Sequence, residues 1–279
     1  MKISVIISTY NHPQWLEKVL WGYECQTYKN FEVIIADDGS GEATRLLIDR
    51  FKKSSPLEIN HVWHEDVGYQ KCQILNKSIL AAATDYLLFT DGDCIPRMDF
   101  VEQHVTRAEK GFFLSGGAIR LPMETSKMIS QDDVVTQRAF NRKWLEGNGL
   151  EKRFLKNLKL TPSKGMASFM NFITPANASW NGGNASGWKS DLISINGFDE
   201  RMEYGGQDRE LGERMMNKGF KSKQLRYSAI CVHLDHSRGY KTDSSVQKNI
   251  NIRKVTRGDK KVWTEFGIRK ENGRQEAVA

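Results

Sequence analysis

Leu87-Leu88-Phe89-Thr90-Asp91-Gly92-Asp93-Cys94-Ile95-Pro96 is an apolar run, long enough for a buried strand, that breaks abruptly into two carboxylates. Side chains two apart on extended chain point the same way, so Asp91 and Asp93 can face one ligand. Two neighbouring acids resist ionising together unless a cation or strong donors offset them, and hard oxygen ligands suit magnesium or manganese. The stretch therefore has two readings: a strand delivering a metal-diphosphate site, or a strand closed by a polar turn of the kind Asp and Gly commonly make. The flanking sequence decides which fold it belongs to.

Upstream, strand and helix alternate. Ile3 to Ile7 reads as a strand, Pro13 to Gln26 as an amphipathic helix, Phe31 to Ala36 as a second strand and Glu42 to Lys53 as a second helix. A short strand at Ile59 to Trp63 and a helix from Gln70 to Ala83 lead into the strand Tyr86 to Thr90. Such alternation predicts an α/β fold with a mostly parallel central sheet flanked by helices, whose ligands gather at the carboxyl ends of the strands. Those ends carry Ser8-Thr9-Tyr10-Asn11, Asp37-Asp38-Gly39-Ser40 and Asp91-Gly92-Asp93, so polar groups collect along one edge. Tyr10 can stack on a nucleobase and Asp38 can accept hydrogen bonds from base or ribose. Each also has a plain structural reading, Tyr10 as a surface aromatic and Asp38-Gly39 as a turn or helix cap. Their co-location favours a site.

Composition sets outer bounds. A chain of 279 residues fits one large α/β domain or two smaller ones. Cys25, Cys72, Cys94 and Cys231 are scattered with no Cys-x-x-Cys pair, which argues against structural zinc or a disulfide framework and suggests a reducing cytoplasm. The N-terminus enters an apolar strand with no charged leader, and no apolar run reaches membrane-spanning length. The Asn-Ala-Ser sequons at Asn177 and Asn184 are then chance matches. A net charge of +7 calls for an anionic partner. Without a helix-turn-helix, zinc-finger or aromatic RNA-binding signature, that partner is not expected to be nucleic acid.

Downstream the chain divides. The first half, 1–115, would bind a nucleotide, and 116–180 reads as a basic helical or mobile insertion. Between Glu124 and Asn177, Phe140, Trp144, Leu145, Phe154, Leu155, Leu158 and Leu160 interleave with Arg138, Arg142, Lys143, Lys152, Arg153, Lys156 and Lys159. Basic heads on aromatic stems suit an anionic membrane surface or a phosphorylated acceptor, or simply a packed helix pair with its lysines in water. Residues 181–240 would hold the acceptor and the catalytic group. There Asp208 follows the Gly205-Gly206 pair at the start of a helix running to Lys218, as a candidate base or a helix-capping acid. A strand from Tyr227 to Val232 leads to His233 and His236, which can reach one cation or be ordinary surface histidines. Residues 241–279 read as a polar, basic tail in which Val262 to Ile268 docks and the end from Lys270 frays.

With both halves read, the chain resembles inverting glycosyltransferases of family 2, which have the GT-A fold. The matching residues are Ile6-Ile7-Ser8-Thr9-Tyr10-Asn11, Asp37-Asp38-Gly39-Ser40 and Thr90-Asp91-Gly92-Asp93. Gly182-Gly183, Asn196-Gly197-Phe198, Gly205-Gly206-Gln207-Asp208 and His233-Leu234-Asp235-His236-Ser237-Arg238 are similar to the catalytic regions of β-1,4-galactosyltransferases and chondroitin-polymerase-type enzymes. The resemblance implies that Ser8, Thr9, Tyr10 and Asp38 hold the uridine of a UDP-sugar and Asp91 the ribose or the metal. It implies Asp93, His233 and His236 as ligands of manganese or magnesium, and Asp208 as the base. Gln207 departs from the pattern, which has a glutamate before the catalytic Asp. The implied role is transfer of a hexose or N-acetylhexosamine to a saccharide or lipid-linked acceptor in bacterial surface polysaccharide or lipopolysaccharide synthesis. The place implied is the cytoplasm or the inner face of its membrane. Two alternatives remain open at this stage. A sugar-phosphate nucleotidyltransferase would carry a glycine-rich basic loop after the first strand, which Ser8 to Pro13 is not. A silent sugar-nucleotide-binding protein would have no need of Asp93, Asp208 and His236 together.

Overall fold

Continuous apolar runs make the strands of the first half, because a sheet covered by helices on both faces buries every side chain. In the computed structural model, which describes residues 1–174, 179–237, 240 and 242–270, these runs are β1 (Ile3–Thr9), β2 (Phe31–Asp37) and β4 (Tyr86–Asp91). Asn177 and Arg238 lie outside the described residues. Between them come α1 (Pro13–Glu24), α2 (Glu42–Ser54), β3 (Ile59–Trp63) and α3 (Lys71–Ala81), within two or three residues of the boundaries expected from sequence. Pro13 opens α1, where its missing N–H costs nothing.

The second half contributes strands to the same sheet. After β5 (Cys94–Pro96) and α4 (Phe100–Val105) come β6 (Phe112–Arg120) and the helical insertion, α5 (Met123–Met128), α6 (Gln131–Val135), α7 (Arg142–Gly147), α8 (Phe154–Asn157) and α9 (Lys164–Ile173). Then follow β7 (Asn184–Trp188), α10 (Lys189–Ser194), α11 (Gln207–Asn217), β8 (Lys221–His233) and α12 (Asp243–Gly258). The eight strands lie in the order β3-β2-β1-β4-β7-β6-β8-β5. Four of the seven pairings are parallel, and the antiparallel ones, β4 with β7, β7 with β6 and β8 with β5, each involve β7 or β8. This is the GT-A arrangement, with apolar cores packed on the two faces of the sheet.

Three features add to the sequence reading. Asp91-Gly92-Asp93 is a tight turn joining β4 to β5, so the two acids do not share a face as extended chain would place them. Gly92 donates its N–H to the Ser8 carbonyl at 2.7 Å, and a Cβ there would crowd Ser8 and Thr9. The stretch read as a polar tail contains the 16 residues of α12. Its buried positions are Ser245, Asn249 and Thr256, and it docks through the hydrogen bonds of Asn249 and Thr256 with Ile252 partly buried against the core. In the insertion Phe140, Leu145 and Leu160 are core residues, whereas Phe154 and Leu155 are exposed.

A buried polar chain ties the second half together. Tyr86 Oη lies 2.8 Å from Ser186 Oγ, which lies 2.7 Å from His104 Nδ1, and His104 Nε2 lies 2.9 Å from Asn184 Oδ1. Because the Asn184 oxygen can only accept, His104 is the Nε2–H tautomer and Ser186 donates to Nδ1. Asn184 is wholly buried, so its sequon is a chance match. Burial, against the Asn184 hydrogen bond, lowers the His104 pKa to about 4. The folded protein therefore keeps this imidazole neutral where the unfolded chain takes a proton. The resulting stability is present above the unfolded-state value near 6.5 and is lost as pH falls towards 4, at up to about 1.4 kcal/mol per pH unit. Urea unfolding at pH 7 and pH 5 should show a shallower acid loss in His104→Gln than in the parent; equal losses would exclude His104 as the cause.

Candidate active site

Ser8, Thr9, Tyr10, Asp38, Asp91, Asp93, Asp208, His233 and His236 all line one cleft of about 1220 Å³ at the carboxyl edge of β1, β2 and β4. Its first wall is the β1 and β2 ends. Asp38 N donates to the Thr9 carbonyl at 3.0 Å, and the Asp38 carboxylate receives His64 Nε2 at 2.8 Å and the Gln70 N–H at 3.1 Å. Tyr10 keeps its ring partly exposed while its hydroxyl donates to Asp66 Oδ2 at 2.8 Å. That bond fixes the ring's direction, which suits a stacking platform.

Asp91 and Asp93 are put to different uses. Asp91 Oδ1 accepts from Ser8 Oγ at 2.7 Å and pairs with Lys71 Nζ at 2.6 Å. Asp93 Oδ2 faces His236 Nε2 at 2.9 Å and His233 Nε2 at 3.7 Å. The register of the sheet makes this possible, since Cys94 on β5 pairs with His233 on β8. Ligand atoms of Asp93, Cys94 and His233 all lie within 4.8 Å of one another. Burial raises the Asp93 carboxyl, but the His236 hydrogen bond and the charges of both histidines outweigh it and hold it below the usual carboxylate range. His236 Nδ1 lies 2.8 Å from the Ser237 carbonyl, to which it can only donate, so Nε2 is the atom presented to Asp93. A carboxylate and two imidazoles aimed at one another fit a shared divalent cation.

Asp208 stands on the first turn of α11, after Gly206 at φ 89°. Its Oδ2 accepts the Gly182 N–H at 3.1 Å and its Oδ1 the Arg209 N–H at 2.9 Å. Gly182 thus touches Asp208, while a Cβ on Gly183 would come within 3.0 Å of Asp91 Oδ2 and 3.4 Å of Cys94 Sγ. The glycine pair lies between the candidate base and the Asp91 and Cys94 side chains. Gln207 is held by the Gly205 N–H at 3.0 Å and donates to Tyr69 Oη at 3.2 Å. Behind this turn, Asn249 of α12 donates to the carbonyls of Glu203 and Gly205 at 3.0 and 2.9 Å. Two residues beyond Asp208, Glu210 forms a fully buried pair with Arg214 at 2.8 Å. Arg214 also donates to the Ile195 and Gly197 carbonyls at 2.6 and 2.7 Å, which gives Asn196-Gly197-Phe198 a structural role in anchoring α11.

Sequence reasoning missed Lys71, His64 and the tyrosine group Tyr69, Tyr204 and Tyr240, whose rings lie 5.0 to 6.2 Å apart beside Gly205-Gly206. His64 and Tyr69 to Lys71 follow the carboxyl end of β3, so the same strand-end rule points to them.

The sequence model of glycosyl transferase family 2 matches residues 4–174, and that of the N-terminal domain of galactosyltransferase matches residues 166–237. The chain is 27% identical over 266 residues to chondroitin synthase from Escherichia coli, covering 90% of this chain and 37% of that one. The chain thus spans little more than a third of that relative's length. Among solved structures, Staphylococcus aureus TarS 1–349 in complex with UDP-GlcNAc aligns with a TM-score of 0.60 at 14% identity, covering 93% of this chain and 69% of that one. The mannosyltransferase PcManGT from Pyrobaculum calidifontis, in complex with GDP-Man and Mn2+, aligns with a TM-score of 0.58 at 20% identity, covering 85% and 58%.

Proposed function

The chain belongs to glycosyl transferase family 2, and on that premise we propose a metal-dependent, inverting transfer of a hexose or N-acetylhexosamine from a UDP-sugar to a saccharide or lipid-linked acceptor. The pathway proposed is synthesis of a bacterial surface polysaccharide or lipopolysaccharide. One observation supports the reading: Asp208, Asp93, His233 and His236 line a single cleft, in which Gly182 meets Asp208 and Gly183 meets Asp91 and Cys94. Tyr10, Thr9, Ser8 and Asp38 form the nucleoside wall, and Asp91, neutralised by Lys71, borders the ribose.

Asp93, His233 and His236 would hold the cation, and their mixed oxygen and nitrogen donors suit manganese better than magnesium, which prefers oxygen. When bound, the cation offsets charge on the departing diphosphate. The chain's own residues do the rest. Asp208 takes the proton of the acceptor hydroxyl as its oxygen bonds to the anomeric carbon, and the bond to the diphosphate breaks with its electron pair leaving on UDP. Displacement in one step inverts the centre and needs no enzyme nucleophile. Orientation by the Gly205-Gly206 turn and the nucleoside wall supplies much of the rate.

A panel of UDP-sugars with GDP-mannose as a control, assayed for manganese-dependent nucleotide release with and without acceptors, tests the donor. No release from any UDP-sugar would refute it. Asp93→Asn keeps an oxygen ligand but loses the charge, so manganese-dependent UDP affinity should drop by about ten- to a hundredfold with folding intact. Calorimetry giving the parent affinity would remove Asp93 from the metal shell.

A lipid-linked acceptor would require the protein to approach a membrane, and no helix among the described residues is long and apolar enough to cross one. On the insertion Leu155 is 73% exposed and, on α9, Phe169 is 56% and Phe172 is 89% exposed. Lys152, Lys156 and Lys164 lie nearby in sequence, whereas Arg142 and Arg153 are paired with Glu146 and Glu151. Exposed apolar side chains with lysines close to them in sequence suit an anionic membrane surface. Phe169→Ser with Phe172→Ser should lower partition onto anionic liposomes by about tenfold or more, since burying each ring is worth roughly 1.5–3 kcal/mol. Unchanged flotation would leave these rings without a membrane role.

A further inference from the structure

Arg120, Lys159 and Arg226 line the cleft from the β6 end, the insertion and β8, and among the described residues none has a carboxylate partner. Of the other lysines and arginines lining the cleft, Lys71 pairs with Asp91 and Arg253 with Glu213, while Arg209 follows Asp208 on α11. Like charges gathered in a half-buried place repel one another unless an anion joins them. Burial first, and then the charges of Arg226, Lys156 and Arg120, lower the Lys159 pKa, as expected of a cation awaiting a counter-charge.

The backbone is shaped to hold Arg226 there. Leu225 pairs with Gly116 but the next pairing on β6, Gly117, is with Ile230, so residues 226–229 form an extended bulge. The bulge is pinned throughout. Asn184 Nδ2 bridges the Gly117 and Ala229 carbonyls at 2.9 and 3.0 Å, Asn171 accepts the Tyr227 N–H at 2.9 Å and donates to Ser228 Oγ at 2.7 Å, and Arg97 donates to the Ser228 carbonyl at 2.6 Å. Gly117 is required, because a Cβ would lie 2.1 Å from the Arg226 carbonyl oxygen. Lys159 Nζ reaches the adjacent Ala118 carbonyl at 3.2 Å, which sets it beside the same stretch of β6.

Sheet order separates these cations from the nucleoside wall. Tyr10 and Asp38 follow β1 and β2, whereas Arg226 is on β8, with β4, β7 and β6 between. Along β6, Gly117 at the bulge is three residues, about 10 Å, from Arg120, whose partner is the candidate ligand His233. The donor's charges end at the diphosphate, beside Asp93. We propose that Lys159 and Arg226, flanked by Arg120, form a subsite for an anionic group of the acceptor, a carboxylate or a phosphate, so that the acceptor is an acidic or phosphorylated saccharide and not a neutral one. This rests on the donor and acceptor sides assigned under the proposed function.

The test is a calorimetric titration of the full chain, saturated with UDP and manganese, using three oligosaccharides of equal length: uronate-terminated, its carboxyl-reduced counterpart and a phosphate-terminated one. At least one anionic probe should bind about tenfold tighter than the neutral probe. Arg226→Gln and Lys159→Gln should each remove most of that preference, by about tenfold, with UDP affinity and melting temperature held. The anion that binds better identifies the source. Equal binding of the three probes overturns the subsite, as does a loss of UDP affinity in the variants, which would move these cations to the donor. UDP binding by the parent protein is read separately, so failure of the donor assignment is distinguished from failure of the subsite.

Discussion

Asp208→Asn should fold, bind UDP and manganese with near-parent affinity, and transfer sugar about a hundred- to ten-thousand-fold more slowly. The substitution removes the proton acceptor and little else, and general-base catalysis typically contributes that range. A purely structural Asp208 behaves otherwise. Its two oxygens receive the N–H groups of Gly182 and Arg209, and an asparagine can accept only one of them, so a small stability loss of about 1 kcal/mol accompanies either role. Only the base role separates turnover from binding. Initial rates at saturating donor and acceptor, beside thermal melting and UDP titration, distinguish the two. Near-parent turnover in a folded Asp208→Asn protein would sink the assignment and require another residue to take the proton.

The largest expected stability effect lies one turn further along the same helix. Arg214→Ala strands Glu210 as a buried charge without its counter-ion, held only by the Thr256 hydroxyl at 2.9 Å, and leaves the Ile195 and Gly197 carbonyls without their donors. Breaking a buried pair from one side costs roughly 3–5 kcal/mol. The double change Glu210→Leu with Arg214→Met removes both charges and should recover a large part of that loss, because desolvating the pair is itself costly. Urea midpoints of the two single and the double variants measure the coupling. A loss below about 1 kcal/mol in Arg214→Ala would mean that α11 is held by something else. Because Asp208 begins this helix, Arg214→Ala should also lower turnover in whatever fraction stays folded.

The first half was legible because its strands are buried on both faces and therefore read as unbroken apolar runs with polar ends. All nine residues singled out for the site came to line one cleft. Their roles still rest on the experiments above. Less could be read where periodicity carries no signal. Strand β6 contains Ser115-Gly116-Gly117, small residues chosen by close approach to Asn184 and to the β8 bulge, and these resemble a loop in sequence. Helix α12 is docked by Asn249, Thr256 and Arg253 through hydrogen bonds, with Ile252 partly buried against the core, and its buried positions are polar ones. The turn at Gly92 was invisible for a different reason. Its Gly92 is crowded by Ser8 and Thr9 of β1, a fact of packing between distant segments.

The interleaving of the strands bears on how such enzymes can be recombined. The chain's first segment supplies β5, which pairs only with β8, while β7 from the later segment sits between β4 and β6. The two halves of the chain are therefore woven together and are not beads on a string. A chimaera that exchanges the acceptor half as a contiguous block after β6 would import a β7 and a β8 that must match the pleat and register of three resident strands at once. Viable exchanges are those that replace a segment lying wholly within the insertion between β6 and β7, or wholly within α11 or α12, so that every strand pairing stays among resident strands. Recombination between such chains would run through those segments, and the sheet itself is left as the part that cannot be traded piecemeal.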